Sequence, residues 1–331
     1  MKKLQYLNRI FSAYVLRKQS QLSFWHETSE INENVFDETV LKDATLQVPH
    51  YYMSFVQKAQ YAGPFDENGV PLLHYHGTIG LQYNPIAIAQ YGLGQLHFYL
   101  NTQKPEHEQS VKKIADWLVA ELKPNSHGVP VWQHHFDFEY TQMLRKPWYS
   151  GLAQGQGISL LLRAHRLIRE EKYLDAALSA FRSFEKSISQ GGVLFEDKAQ
   201  NLWIEEYITD PPTHILNGMI WALWGIYDLW KMQGHEGAGQ LWDRCLQTLS
   251  KNLSCFDSGF WSLYDLSSFP IKNLASPFYH RLHLIQLEVL FRLTANPVFK
   301  EVLLRWKYYQ NHPFFRSRAF IHKTLFKLLY F

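Results

Sequence analysis

The sequence predicts a mainly α-helical fold: an α/α toroid, an incomplete barrel of about four helical hairpins. Short β-hairpins are expected at one rim, with a small β-containing region ahead of them. Three observations carry this prediction. Four strongly apolar segments recur at a nearly constant interval. Each is followed by a segment with helical amphipathic spacing. Stretches of β character precede the second, third and fourth of the apolar segments.

Residues 1–75 read as an N-terminal helix and β-hairpin region. The first 20 residues look helical. The start "MKKLQYLNRIFSAYVLRKQSQ" is basic but has no uninterrupted apolar run, so it does not read as a secretory signal and a cytoplasmic location is expected. The stretch "VPHYYMSFVQKAQYAGPFDENGVPLLHYHGTIGLQYNP" holds short apolar runs split by Pro and Gly, which read as strands or hairpins capping the toroid.

The toroid is read over residues 76–310. Its apolar segments are "NPIAIAQYGLGQLHFYLN", "SGLAQGQGISLLLRAHRLI", "LNGMIWALWGIYDLWKM" and "YHRLHLIQLEVLFRLT", whose starts fall 66, 66 and 63 residues apart. Apolar and small residues surround their whole circumference, the pattern of a helix buried on most sides. The partners "QSVKKIADWLVAELK", "YLDAALSAFRSFEKSI", "GQLWDRCLQTLSKNL" and "PVFKEVLLRWKYYQ" repeat apolar residues every three or four positions, as at Ile114, Trp117, Leu118 and Leu122. A repeat of this kind hides its inner helices only by stacking on its neighbours. The β-like stretches "GVPVWQHHFDFEYT", "GGVLFEDKAQNLWIEEYI" and "SGFWSLYDLSS" are expected as rim hairpins before the inner helices. Residues 311–331 form a basic amphipathic tail. Such a tail either docks on its own domain or makes a peripheral contact with a membrane surface.

Composition narrows the function classes. Hydrophobic residues make up 46% and charged residues 19%, which argues against global disorder. Aromatic residues reach 16%, suited to a core and also to a carbohydrate cleft. Net charge is +3 without a long basic run, so no nucleic-acid partner is expected. No apolar run of about 18 residues appears, so no membrane span is expected. Cys245 and Cys255 read as two free thiols. Self-association as a homodimer stays open.

The expected rim places polar residues beside inner-helix N-termini, whose unpaired N–H groups favour anions such as carboxylates. "NLWIEEYITDPPTHILNG" lies in that rim and offers Glu205, Glu206, Tyr207 and Asn217. In an extended segment the two glutamates point to opposite faces, so that one can face the cleft while the other does not; the alternative reading is a solvated loop. "SLYDL" supplies Tyr264, and "FYHRLH" supplies Tyr279, His280, Arg281 and His283. His280 and His283 have no adjacent carboxylate or cysteine to complete a ligand set, so no metal is expected. "SGLAQGQG" lacks the Lys-Ser/Thr of a P-loop, and its glycines read as close-packing positions with access to a ligand.

Four of these stretches, "YSGLAQGQGISLLLRAHRLI", "EEYITDPPTHILNGMIWALWGIYDLW", "SLYDL" and "YHRLHLIQL", resemble in order and separation the C-terminal domain of the D-glucuronyl C5-epimerases. The resemblance spans roughly residues 75–310. It implies an α/α toroid and a cleft for an acidic, heparosan-like polysaccharide. It also implies a cofactor-free, two-base inversion of glucuronyl to iduronyl residues. Carried over, the family's catalytic glutamate and tyrosine fall on Glu206 and Tyr207, and its second essential tyrosine on Tyr279. Substrate contacts are expected from Tyr149, Gln156, Arg163, Glu205, Asn217, Tyr264, His280 and Arg281. The chain departs from the family at Ser267, where arginine commonly follows the YDL motif. Arg281 or Arg163 is a substitute. A uronate lyase would use the same C5 proton, and a non-catalytic polysaccharide-binding module is the reading from another class.

Overall fold

In the computed structural model, which describes residues 10–14, 30–35, 48–75 and 77–330, the recurring apolar segments form four helices of 18 residues each. The helices in chain order are α1 (Pro85–Thr102), α2 (Pro105–Glu121), α3 (Gly151–Ile168), α4 (Glu171–Phe181), α5 (Leu216–Gln233), α6 (Glu236–Asn252), α7 (Pro277–Thr294), α8 (Pro297–Asn311) and α9 (Pro313–Tyr330). The odd-numbered helices α1 to α7 are the apolar ones. Of the first 20 residues, 10–14 are helical and the others lie outside the described residues.

The chain marks these helices locally. The side chains of Asn84, Ser150 and Ser276 accept hydrogen bonds from the first-turn N–H groups of α1, α3 and α7, satisfying donors that have no partner within the helix. Proline opens α1, α2, α7 and α8, where its missing N–H costs nothing. The difference between inner and outer helices follows the predicted patterning. Every residue of α3 from Gly151 to Ala164 is buried. In α2 only Val111, Ile114, Ala115 and Leu118 are buried, a single stripe.

Two compact units divide the chain. One comprises Met1–Thr28, Thr213–Asn217 and Leu249–Phe331, and the other Ser29–Pro212 and Gly218–Thr248. In the larger unit α1 packs on α2, α3 on α4, and α1 on α3. Helix α3 meets α5 through glycine. A Cβ on Gly155 would lie 2.8 Å from the Ala222 carbonyl oxygen, so only glycine admits this approach. Tyr227 on α5 packs its ring 4.6 Å from that of Trp242 on α6. In the smaller unit α7 packs on α8 and α8 on α9.

Five two-stranded antiparallel ladders occur among the described residues. β1 (Leu73–Tyr75) pairs with β2 (Gly80–Gln82), and β3 (Lys123–Pro124) with β4 (Pro130–Val131). β5 (Gln133–His134) pairs with β8 (Trp148–Tyr149) around the inner hairpin of β6 (Phe138–Glu139) and β7 (Met143–Leu144). β9 (Leu194–Glu196) pairs with β10 (Leu202–Ile204). The hairpin expected in "SGFWSLYDLSS" does not form. There the chain makes only isolated bridges, Asp257 with Ser262 and Leu263 with Leu274. The partner of Leu263 lies outside the segment, so alternation within it was no guide. Cys245 and Cys255 are free thiols.

Candidate active site

The segment after β10 lies against two glycines of the larger unit, Gly151 and Gly218, near the starts of α3 and α5. The Glu205 N–H donates to Val193 O at 2.8 Å, and Glu205 O accepts from Gly151 N, the first residue of α3, at 3.1 Å. A Cβ on Gly151 would sit 2.5 Å from that carbonyl oxygen. One residue on, the Glu206 side chain lies against Gly218 in the first turn of α5. A Cβ there would fall 2.6 Å from Glu206 Cβ and 2.8 Å from Cδ, and nearer still to Oε2. The glycines of "SGLAQG" and "LNGM" thus leave room for the two glutamates at the start of two inner helices. Such a first turn carries partial positive charge beside the Glu206 carboxylate.

Both glutamates are buried: Glu205 has no exposed surface and Glu206 keeps 4%. The alternative reading of this stretch as a solvated loop does not hold, because the segment lies against Gly151 and Gly218. Tyr207, by contrast, is half-buried in an aromatic wall. Its ring lies 4.9 Å from Tyr140, 5.6 Å from Trp148 and 5.7 Å from Phe138. Trp148 is fixed by its indole N–H, which donates to Phe136 O at 2.7 Å, and by His134 stacked on it at 3.7 Å. Burial pulls the His134 imidazole down to about 3, so this ring is neutral packing. Tyr140, Trp148 and Phe138 were not singled out from the sequence. The alternation in "QHHFDFEY" was the available signal.

The smaller unit gathers the other candidates. The Tyr264 N–H donates to Asn273 O at 2.8 Å, and Tyr264 O accepts from Leu216 N at 3.2 Å. Leu266 N donates to Thr213 O at 2.8 Å, so "YDL" is held on both sides. The Tyr264 and Tyr279 rings meet edge to face at 4.8 Å. Asn217 is the second residue of α5, inside the helix instead of capping it, and its carbonyl accepts from Gln286 Nε2 at 2.9 Å. Ser267 donates its hydroxyl to Asp265 Oδ1 at 2.6 Å.

Two expected substrate contacts, Arg163 and His280, have their polar atoms engaged by the scaffold. Arg163 is wholly buried, and all its donors have acceptors. Nη1 and Nη2 grip Asp228 at 2.6 and 3.1 Å, and the remaining N–H groups go to Pro49 O, His50 O and Ser159 O. It holds an internal carboxylate and has no surface for a substrate. His280 is equally buried: Nδ1 meets Ser262 Oγ at 2.8 Å, Nε2 meets Trp306 O at 3.1 Å, and Trp261 stacks on the ring at 3.9 Å. Burial lowers it to about 3 and holds His283 well below its usual value, so both are neutral core rings. Gln156 is buried and accepts from Gln90 Nε2 at 3.0 Å. Tyr149 is half-buried on β8, and Arg281 is exposed on α7. Among the described residues, no group of three or more His, Cys, Asp and Glu side chains is placed to hold a metal ion. No helix among them is long and apolar enough to cross a membrane.

Comparison with known proteins identifies similar sequences and folds. A D-glucuronyl C5-epimerase of Caenorhabditis elegans is 31% identical over 225 residues, which are 62% of this chain and 36% of that protein. The chain thus spans little more than a third of that relative's length. An uncharacterized protein of Methanocaldococcus jannaschii is 25% identical over 74% of this chain and 85% of its own. Among solved structures, cellobiose 2-epimerase from Bacillus thermoamylovorans superposes with a TM-score of 0.54 at 13% identity, covering 92% of this chain and 87% of its own. The Spirochaeta thermophila enzyme gives 0.52 at 11% identity over 98% and 97%. At such identities the likeness establishes the fold, the mainly helical α/α-toroid class that the sequence predicts. The pattern of the D-glucuronyl C5-epimerase C-terminus matches residues 126–308, which include Glu206, Tyr207, Asn217, Tyr264 and Tyr279. This chain belongs to that family.

Proposed function

We propose that this chain is a carbohydrate epimerase that inverts C5 of D-glucuronyl residues within an acidic, heparosan-like polysaccharide, giving L-iduronyl residues. One observation carries the reading. A buried carboxylate, Glu206, rests on the first turn of an inner helix, and the next residue is a half-buried tyrosine set in aromatic rings.

The chemistry accounts for those residue types. The C5–H of a uronate is acidic only through its own carboxylate, so that charge must be neutralised or hydrogen-bonded before the proton leaves. The C5–H bond breaks, its proton passes to a base, and the electron pair moves into the carboxyl group. A new C5–H bond then forms with a proton given from the other face. In this reading Tyr207, backed by Glu206, carries one proton transfer and Tyr279 the other. A phenol can alternate between acid and base when its neighbours tune it. Asn217 and helix N–H groups stabilise the charged carboxyl group while the C5 proton is absent.

The test is incubation with heparosan, or its N-sulfated form, in heavy water. Deuterium at C5 together with new iduronyl signals supports the proposal. No C5 exchange in any uronate polymer refutes it. Absorbance from a new C=C bond would redirect the assignment to β-elimination.

A further inference from the structure

We infer that Lys323, on the C-terminal helix α9, is a positioning residue for the Tyr264 segment, acting through Asn273 and Asp265. The inference rests on the proposed function and on Tyr264 being a substrate contact within it, as the family resemblance implies. Helix α9 lies beyond the family match, which ends at residue 308.

The relay is continuous. Lys323 is buried, although only Ala319 and Phe326 share that status on α9. Its Nζ donates to Asn273 Oδ1 at 2.8 Å and also to Leu274 O. Because that contact takes the amide oxygen, the Asn273 amide nitrogen is turned the other way, where it donates to Asp265 Oδ2 at 2.6 Å. The same residue's carbonyl accepts from Tyr264 N, so one asparagine orients both residues of the "YD" pair. Asp265 Oδ1 is held by the Ser267 hydroxyl and N–H. Without Nζ, the Asn273 amide loses the contact that selects its orientation, and the Asp265 carboxylate loses a fixed donor.

Burial, and then the charge of Lys327, bring Lys323 down to about 7, while Asp265 pushes it back up. The neutral amine still has two N–H groups for its two acceptors, so the lock needs donors and not charge. Burying so costly a side chain is explained by the two acceptors it serves.

The experiment compares Lys323→Met, Asn273→Ala, the double variant and Lys323→Arg, each as the full chain. Amide hydrogen exchange at Tyr264 is read together with steady-state kinetics on a uronate oligosaccharide. In Lys323→Met the Tyr264 amide is expected to exchange at least about five-fold faster. Turnover is expected to fall about ten-fold or more, with little change in KM. Lys323→Arg should recover part of the turnover. The double variant should be no worse than the weaker single one, because serial links are not additive. Unchanged exchange at Tyr264 overturns the relay whatever the reaction proves to be. Faster exchange with unchanged turnover overturns its catalytic role. A wild-type protein with no C5 exchange refutes the proposed function and with it the catalytic part, while the amide measurement still decides the relay.

Discussion

Replacing Gly218 by alanine tests the site with the smallest perturbation it offers. The new methyl carbon would start 2.6 Å from Glu206 Cβ and 2.8 Å from Cδ. Comfortable carbon–carbon contact begins near 3.5 Å, so the side chain must retreat by about 1 Å. Because Cβ is one of the atoms met, rotation of the carboxylate alone does not relieve the clash. A displacement of about 1 Å at a catalytic group costs about 10²-fold in rate. Stability moves the other way: alanine inside a helix is favoured over glycine by about 1 kcal/mol, which offsets part of the steric cost. The variant should therefore unfold at nearly the wild-type denaturant midpoint and turn over about 10²-fold more slowly. C5 deuterium incorporation and urea unfolding, measured on the same preparation, separate the two effects. Wild-type turnover in Gly218→Ala would show that the position of Glu206 is irrelevant to the chemistry and would remove the central residue of the proposal.

Tyr207→Phe and Tyr279→Phe should each lower turnover by about 10²–10⁴-fold with unfolding curves unchanged, and near-normal rates in both would end the two-base assignment. Arg163→Met leaves the Asp228 carboxylate buried without its cation, so it should cost about 3–5 kcal/mol in denaturant unfolding. A loss below about 1 kcal/mol there would mean that Tyr52 and Ser159, which also bond Asp228 at 2.7 and 2.6 Å, suffice alone. Asn217→Ala should lower turnover more than it raises KM, which steady-state kinetics on a defined oligosaccharide will decide.

What the sequence disclosed was whatever depends on near neighbours. The apolar period and the stripe on α2 are local signals, and the helices follow them. The YDL segment was misread as a hairpin because its pairing to residue 274 is set by the fold around it. Glu206 and Tyr207 emerged from a motif, yet the reason for their setting was not visible. Whether Gly218 matters depends on where residues 204–206 cross α5, which no pattern within either segment states. Lys323 was further from reach: it read as one of several cations in an amphipathic tail, and its acceptors lie 49 and 50 residues earlier in the chain.

Arg163 could have been assigned correctly from the repeat itself. Gln90 and Gln156 are each the sixth residue of their helices, and they bond to each other. Arg163 and Asp228 are each the thirteenth residue of α3 and α5, and they form the buried ion pair. Two buried polar pairs between neighbouring inner helices thus join residues one repeat apart in the chain. The physical reason is that a buried polar group in an apolar wall is costly unless it is paired. Applied to the second position, the same register gives Ile86 on α1, Leu152 on α3 and Phe278 on α7, all apolar, against Asn217 on α5. Under the proposed function, the first-turn location of Asn217 suits it to stabilise charge on the substrate carboxyl group. If so, the alanine variant should fold as well as wild type and bind a long polymer nearly as well, losing only the contact that strengthens as charge develops on the carboxyl group. A large rise in KM with unchanged turnover would instead make Asn217 a plain binding residue.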